Sequence, residues 1–405
     1  MPSEFVGNDF EYDAFSYQGF SCFCGVDTIN IAPGVIQQSL KIQENSNSPL
    51  YFAYGGATGL CRTTFTGSIH QENVLGELLR IHPNNIDDLT SFFQTNGYFF
   101  RTNQNTYEAI DIDKVWSIIN RLKATVFLMS EIDSTRPDYS KMLHLSLFLL
   151  LEPTVSIPVQ KASKPYVTHK HSVIIELEKA SSLPEIDGKK EAFQKDTYTI
   201  EDSIYGTYEL NIDEYTDVTL RRLEAKRPVG YLDSRYRDLV YLYRNGINLS
   251  KAKRLVVDFL FHYMDNVGVI SNVTFDGGIE YYSPAPNLQL FDVPLRKALI
   301  NVSKIVLSEE INSNLIGIVP RYDVQRMKPM WKVSNLLSAL YFSVFYLNPE
   351  IEIYRKCANP TCNNRFLVKT TNGRKIYCCP NCRNATAQRN HRKKLSEGKP
   401  ILSQI

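Results

Sequence analysis

Five of the chain's eight cysteines fall in one stretch, CANPTCNNRFLVKTTNGRKIYCCPNC, which begins at Cys357. Four residues separate Cys357 from Cys362, three separate Cys378 from Cys382, and fifteen lie between the pairs. Two short loops that each offer two thiolates can close a tetrahedron around one Zn²⁺. Four thiolates leave no position for water, so such a metal would be structural and not catalytic. Cys379 forms a C-x-x-C with Cys382 and stands as an alternative ligand. Tyr377 beside Cys378, and Pro380 and Asn381 as the turn, favour Cys378.

A basic segment follows at once. Residues 383–395 contain no Pro or Gly and read as a helix. At 100° per residue, Arg383, Arg389, Arg392, Lys393 and Lys394 spread over roughly 200° of arc. Ala387, His391 and Leu395 take the other side, as a narrow docking edge, with His391 read as packing there or as supporting a metal ligand. Guanidinium forks suit phosphates and guanine edges, and Asn384 and Gln388 could add amide contacts to adenine. The whole chain carries a net charge of +2. From Arg355 onward, however, 12 Lys and Arg face a single acid, Glu397, which leaves the preceding chain at −9. An acidic body with a basic tail implies a polyanion partner at one end only. Double-stranded DNA is the expected partner, with a homodimer or larger assembly placing two fingers on one duplex. The rivals are an acidic protein partner and RNA; for RNA the finger offers only Phe366 and Tyr377 as stacking rings.

These residues resemble the CGNR-type zinc finger found at the C-terminus of bacterial proteins assigned to transcription regulation. The resemblance rests on Cys357 and Cys362, then Phe366, the Tyr377–Cys378 step, and Cys382 with Asn384 leading into a basic helix. It covers about 45 residues. The preceding segment VSNLLSALYFSVFYL is similar to the one before the finger in that family, whose upstream region is called an ABATE domain. Where the family reads Cys-Gly-Asn-Arg, this chain has Cys382-Arg383-Asn384-Ala385, and the family's Asp-x-Ser after the phenylalanine is absent. The resemblance implies one structural zinc and DNA binding by the finger.

Other constellations carry less. THKHS sets His169 and His171 on one face of an expected strand, with no third ligand near in sequence, and reads as a solvent-facing pair. Cys22, Cys24 and Cys61 read as buried free thiols. YGGATGL has no following Gly-Lys-Ser/Thr and reads as a turn between strands. In the D-x-D of Asp111 and Asp113, helix capping accounts for Asp111. No nucleophile elbow, zincin helix or Rossmann fingerprint is present, so the expectation is a non-enzyme.

The elements that must position the finger follow from periodicity. Strands and turns dominate the first hundred residues. A helix runs from Ile86, capped by Asn85 and ended at Gly97. Another follows Asp111, with Val115, Ile118, Ile119, Leu122, Val126 and Met129 on one face. MLHLSLFLLL reads as a buried helix, Ser250 caps one, Asp292 with Pro294 opens one, and WKVSNLLSALYFSVFYL forms the last before the finger. The expected class is an α+β body with a helical second lobe and a small C-terminal four-cysteine zinc finger, of treble-clef or ribbon type, followed by a basic helix. The expected divisions are a mixed α/β lobe over 1–152, a hairpin-bearing insertion over 153–210, a helical lobe over 211–350, and the finger over 351–405. An N-terminus without a basic and apolar leader, and no apolar run near 20 residues, point to the cytoplasm without membrane contact.

Overall fold

The computed structural model describes residues 15–32, 35–55, 58–64, 69–134, 136–160, 164–182, 185–186, 189–190, 197–211, 238–244, 249–282, 285–324, 327–348, 352–362, 364–372 and 374–396. These form two units, each drawn from separate stretches of chain. The first takes residues 1–126, 156–167 and 314–405; the second takes 127–155 and 168–313. The composition-based boundaries at 152, 210 and 350 run instead in chain order. The sequence shows where character changes along the chain, but long-range pairing decides which stretches share a core.

The first unit is built on an antiparallel sheet of β1 (Ser16–Ala32), β2 (Val35–Gly55), β3 (Gly59–Thr63), β4 (Ile69–Asn73) and β5 (Glu108–Asp111). The long strand β2 pairs β1 along one edge and shares the other between β5 and β3. Its side chains alternate as a half-buried strand requires: Leu40 and Ile42 are buried while Lys41 is exposed. Glu44 also points inward, where Arg101 grips it through two bonds of 2.6 and 2.7 Å and lies over the Phe20 ring. A bidentate guanidinium is what makes a carboxylate tolerable there.

The helices form as their caps dictate. Asn73 caps α1 (Val74–Arg80), and Asn85 caps α2 (Ile86–Asn96), which ends at Gly97 with φ 80°. Then α3 (Ile112–Ile132) buries Val115, Ile118, Ile119, Leu122 and Val126. Asp111 accepts the Asp113 N–H at 3.0 Å, the capping role expected of it. In the second unit, α4 (Tyr139–Leu151) is buried along most of its length. A 2.8 Å bond between the Ser146 and Ser303 hydroxyls ties it to a later helix of the unit. Among the described residues this unit also contains α5 (Ser172–Ser181), α6 (Lys251–Asn266, capped by Ser250), α7 (Val293–Asn314) and a helical stretch over 238–244. Hairpins of β10 (Thr197–Ser203) with β11 (Gly206–Asn211) and of β12 (Ile270–Thr274) with β13 (Gly278–Tyr281) also belong to it, so it is mixed and not purely helical.

Two local expectations fail. YVTHKHSVIIELE is a two-residue strand, β7 (Tyr166–Val167), followed by α5. Val173, Ile174, Leu177 and Ala180 bury a helical stripe that outweighs the β-branched composition. WKVSNLLSALYFSVFYL begins as strand, because Trp331 and Lys332 pair with β14 (Val319–Asp323) in β15 (Lys328–Lys332). Asn335 then starts α8 (Leu336–Phe345) by accepting the Ser338 N–H at 2.8 Å.

Asn73 joins the sheet to the C-terminal segment. Its Oδ1 accepts from Gly76 N at 2.7 Å and from the Tyr354 hydroxyl at 2.8 Å, while its Nδ2 donates to Thr58 O at 2.6 Å. Gly59 permits this: φ is +71°, and a Cβ there would lie 2.1 Å from Asn73 Nδ2. Asn73→Ala removes a cap and leaves two polar partners unmatched, so urea unfolding should register a loss of about 2–3 kcal/mol. Asn73→Asp keeps the cap acceptor and should lose markedly less.

Candidate metal centre and basic helix

Two strands and a helix assemble the C-terminal module: β16 (Glu352–Lys356), β17 (Arg365–Lys369) and α9 (Pro380–Ser396). β16 pairs β17 from Glu352–Lys369 to Lys356–Arg365, and Cys357 continues the ladder by donating its N–H to Asn364 O at 2.9 Å. The loop between the strands turns through Asn359, whose carbonyl accepts the Cys362 N–H at 2.9 Å. That brings Cys357 and Cys362 to one place. Beyond β17, Arg355 holds the returning loop through the carbonyls of Asn372 and Lys375, and Ala358 N–H bonds Ile376 O. Cys378 arrives opposite the first pair, and Cys382 projects from the first turn of α9.

The sulfurs of Cys357, Cys362, Cys378 and Cys382 all lie within 4.8 Å of one another. Cys378 Sγ is 3.8 Å from Cys362 Sγ and 3.6 Å from Cys382 Sγ. A regular tetrahedron with metal–sulfur bonds near 2.3 Å has edges of roughly 3.8 Å. The four thiols therefore fit one four-coordinate metal. Cys379 Sγ approaches Cys378 at 3.8 Å but is not a member of the converging four. Burial works against a thiolate at Cys357, but N–H bonds from the Cys378 and Asn359 backbone outweigh it and lower its pKa. Knuckle amides that favour the charged sulfur prepare a thiolate ligand.

The basic helix docks differently from the sequence expectation. Ala387 and His391 are exposed; among the described side chains of α9 the buried one is Thr386, whose hydroxyl bonds Cys382 O at 3.0 Å. His391 is thus not packed against the module. Arg389 is exposed, as the helical wheel suggests, yet its guanidinium turns back onto the module. Its guanidinium donates to Asn359 Oδ1 and Thr361 Oγ1, each at 3.1 Å, so it clamps α9 to the first cysteine loop. Asn359 and Thr361 were missed. Their signal lay in the Asn-Pro-Thr inside the loop, the turn chemistry of side chains that bond nearby backbone, here Thr361 N–H to Asn359 Oδ1. Arg383, Asn384, Gln388, Arg392 and Lys393 are exposed on α9. The Lys394 and Leu395 side chains lie outside the described residues.

Elsewhere, Cys22 and Cys61 are buried and Cys24 is half-buried. Burial pushes their thiols up, to about 12 for Cys22 and Cys24 and about 11 for Cys61, which keeps them protonated. In the second unit, Ser203, His262 and Asp258 come together. One nitrogen, His262 Nε2, faces both Ser203 Oγ at 2.9 Å and Asp258 Oδ1 at 3.4 Å. A nucleophile–base–orienter relay needs opposite nitrogens, so this contact fastens β10 to α6. The expectation for His169 and His171 is also corrected. His171 is 2% exposed, and both rings meet Glu309 of α7. Burial raises the Glu309 carboxyl, yet hydrogen bonds from His169, His171 and Ser172 outweigh it and hold it well below the usual carboxylate range. More than 130 residues separate Glu309 from these histidines, so no local motif announces it.

No helix among the described residues is long and apolar enough to cross a membrane. No protein-family model, curated protein or solved structure matches the chain.

Cys362→Ser and Cys378→Ser should each remove one equivalent of bound metal from the purified full-length chain, whereas Cys379→Ser should remove none. Elemental analysis after gel filtration reads the difference; equal metal content in Cys378→Ser and the parent would reassign that ligand.

Proposed function

We propose that the chain is a DNA-binding regulator, a binding protein and not an enzyme, whose C-terminal module is a structural zinc finger. The observation that carries this reading is the exposed basic face of α9, set at a fixed angle by Arg389 and the four-cysteine cluster. Four thiolates select a soft or borderline ion, and Zn²⁺ combines that preference with tetrahedral geometry and no redox chemistry. The second cysteine pair lies at a helix N-terminus and not in a second hairpin, which favours a treble-clef finger over a ribbon. The reduced thiols of such a site suit the cytoplasm.

Arg383, Arg392, Lys393 and Lys394 supply phosphate contacts, with Asn384 and Gln388 placed beside them to reach base edges. Arg389 serves instead as a positioning residue. One module of this size buries only about 600–1,000 Å², too little for tight specific binding. Paired fingers on a dimeric or larger body meet that need, while the acidic body discourages contact with DNA elsewhere.

A mobility-shift series with duplex DNA across salt concentrations tests the reading. Arg392→Ala with Lys393→Ala should weaken binding and flatten the log–log salt slope by about two units. Arg389→Ala should instead lower the stability of the module. If the parent fails to shift duplex DNA at low salt, the basic helix belongs to an acidic protein partner and the DNA reading falls.

A further inference from the structure

We propose that His169, His171 and Glu309 form a second metal site, taking one divalent transition-metal ion of the borderline class to which Zn²⁺ belongs. The three ligand atoms all lie within 4.8 Å of one another. Glu309 Oε2 is 3.3 Å from His169 Nε2 and 3.2 Å from His171 Nδ1. Nitrogen and oxygen ligands about 2.0–2.2 Å from a tetrahedral ion stand roughly 3.3–3.5 Å apart, which is the spacing found. The imidazole rings are nearly perpendicular, at 74°, so two ring nitrogens converge on one point without stacking.

The surroundings have the features that orient metal ligands. The Ser172 hydroxyl donates to Glu309 Oε1 at 2.5 Å, and the Ser172 N–H to Oε2 at 2.9 Å, which fixes the carboxylate plane. Three donors would therefore crowd the single oxygen Oε2, which has two lone pairs. An ion shared between both imidazoles and the carboxylate relieves that crowding, because each nitrogen then offers its lone pair. Behind His171, its other nitrogen faces Glu310 Oε2 at 3.6 Å, and Glu310 is only 1% exposed. That separation is an ion-pair distance, and a carboxylate so placed would fix the tautomer of a ligating imidazole once the two close to hydrogen-bond distance. Two neutral imidazoles and the Glu309 carboxylate make a donor set of charge −1, and the Glu310 carboxylate behind His171 brings the site to −2, which a divalent ion neutralises.

His169 and Glu309 are partly exposed, so the ion can enter from solvent. Three protein ligands leave one tetrahedral position for water or a small anion, unlike the closed four-thiolate cluster. The ion would also pin the segment entering α5 to α7.

The test is a Zn²⁺ titration of the full-length protein, with bound metal counted after gel filtration. The parent should hold about two ions per chain. His169→Ala and Glu309→Gln should each hold one fewer and Cys362→Ser should lose the other, while Glu310→Gln should weaken the second ion about 10- to 100-fold. A parent that saturates at one ion overturns the proposal, as do folded His169→Ala and Glu309→Gln proteins that bind as much as the parent. X-ray absorption on the Zn²⁺-saturated parent decides the matter even if the variants misfold. A mixed shell of sulfur with nitrogen and oxygen is expected, and a shell of sulfur alone would refute the site.

Discussion

Four sulfur atoms held within 4.8 Å of one another are the constraint on which the C-terminal module rests. Among the described residues of the segment, Tyr354, Cys357 and Val368 are the buried apolar side chains, with Asn359 and Thr386 beside them. So few buried groups cannot offset the entropy of ordering two strands, two loops and a helix. A metal bound only by the assembled thiolates would supply the missing stability, since its binding free energy would become folding free energy. The turn at Asn359, the Arg355 clamp on the returning loop and the Arg389 clamp on α9 all act on parts the sulfurs have brought together.

The module is also seated on the sheet of its unit. The Tyr354 hydroxyl bonds the residue that caps α1, and a Cβ at Gly76 would stand 3.0 Å from the Arg365 carbonyl. Helix and hairpin approach so closely that only glycine fits without a shift. The direction of α9 is then inherited from the sheet through Asn73, β16 and the cysteine loops. A basic helix carried in this way presents a defined surface, whereas the same residues on a solvated tail would present only charge.

Both metal-fitting clusters bring donors together across the chain, and they differ in what they leave open. The four-thiolate cluster is closed and organises its own module. The His169, His171 and Glu309 group lies in the second unit, on the segment entering α5 and on α7, helices that pack without it: α5 buries Val173, Ile174 and Leu177, and α7 buries Leu295, Leu299 and Val302. Its polar side chains are therefore held by a core that exists independently, the condition under which a site can keep an open position.

Local rules sufficed wherever the physics is local. Asn85, Ser250 and Asp292 mark helix starts because a side-chain oxygen three residues ahead satisfies an N–H that no helix can. The spacing of Val115, Ile118, Ile119 and Leu122 reports the buried face of α3, and the paired spacing of four cysteines reports their convergence. Tertiary structure decided the rest. It made a helix of SVIIELEKAS, whose β-branched composition pointed to strand, because one face could be buried. It bonded the Arg389 guanidinium to Asn359, although a helical wheel places it with the outward cations. It set Glu309 beside two histidines from which the sequence separates it by more than 130 residues. Capping and periodicity act within one or two turns and can be read from neighbours. Burial, ion pairing and metal geometry depend on which distant surfaces meet, and only the folded chain determines that.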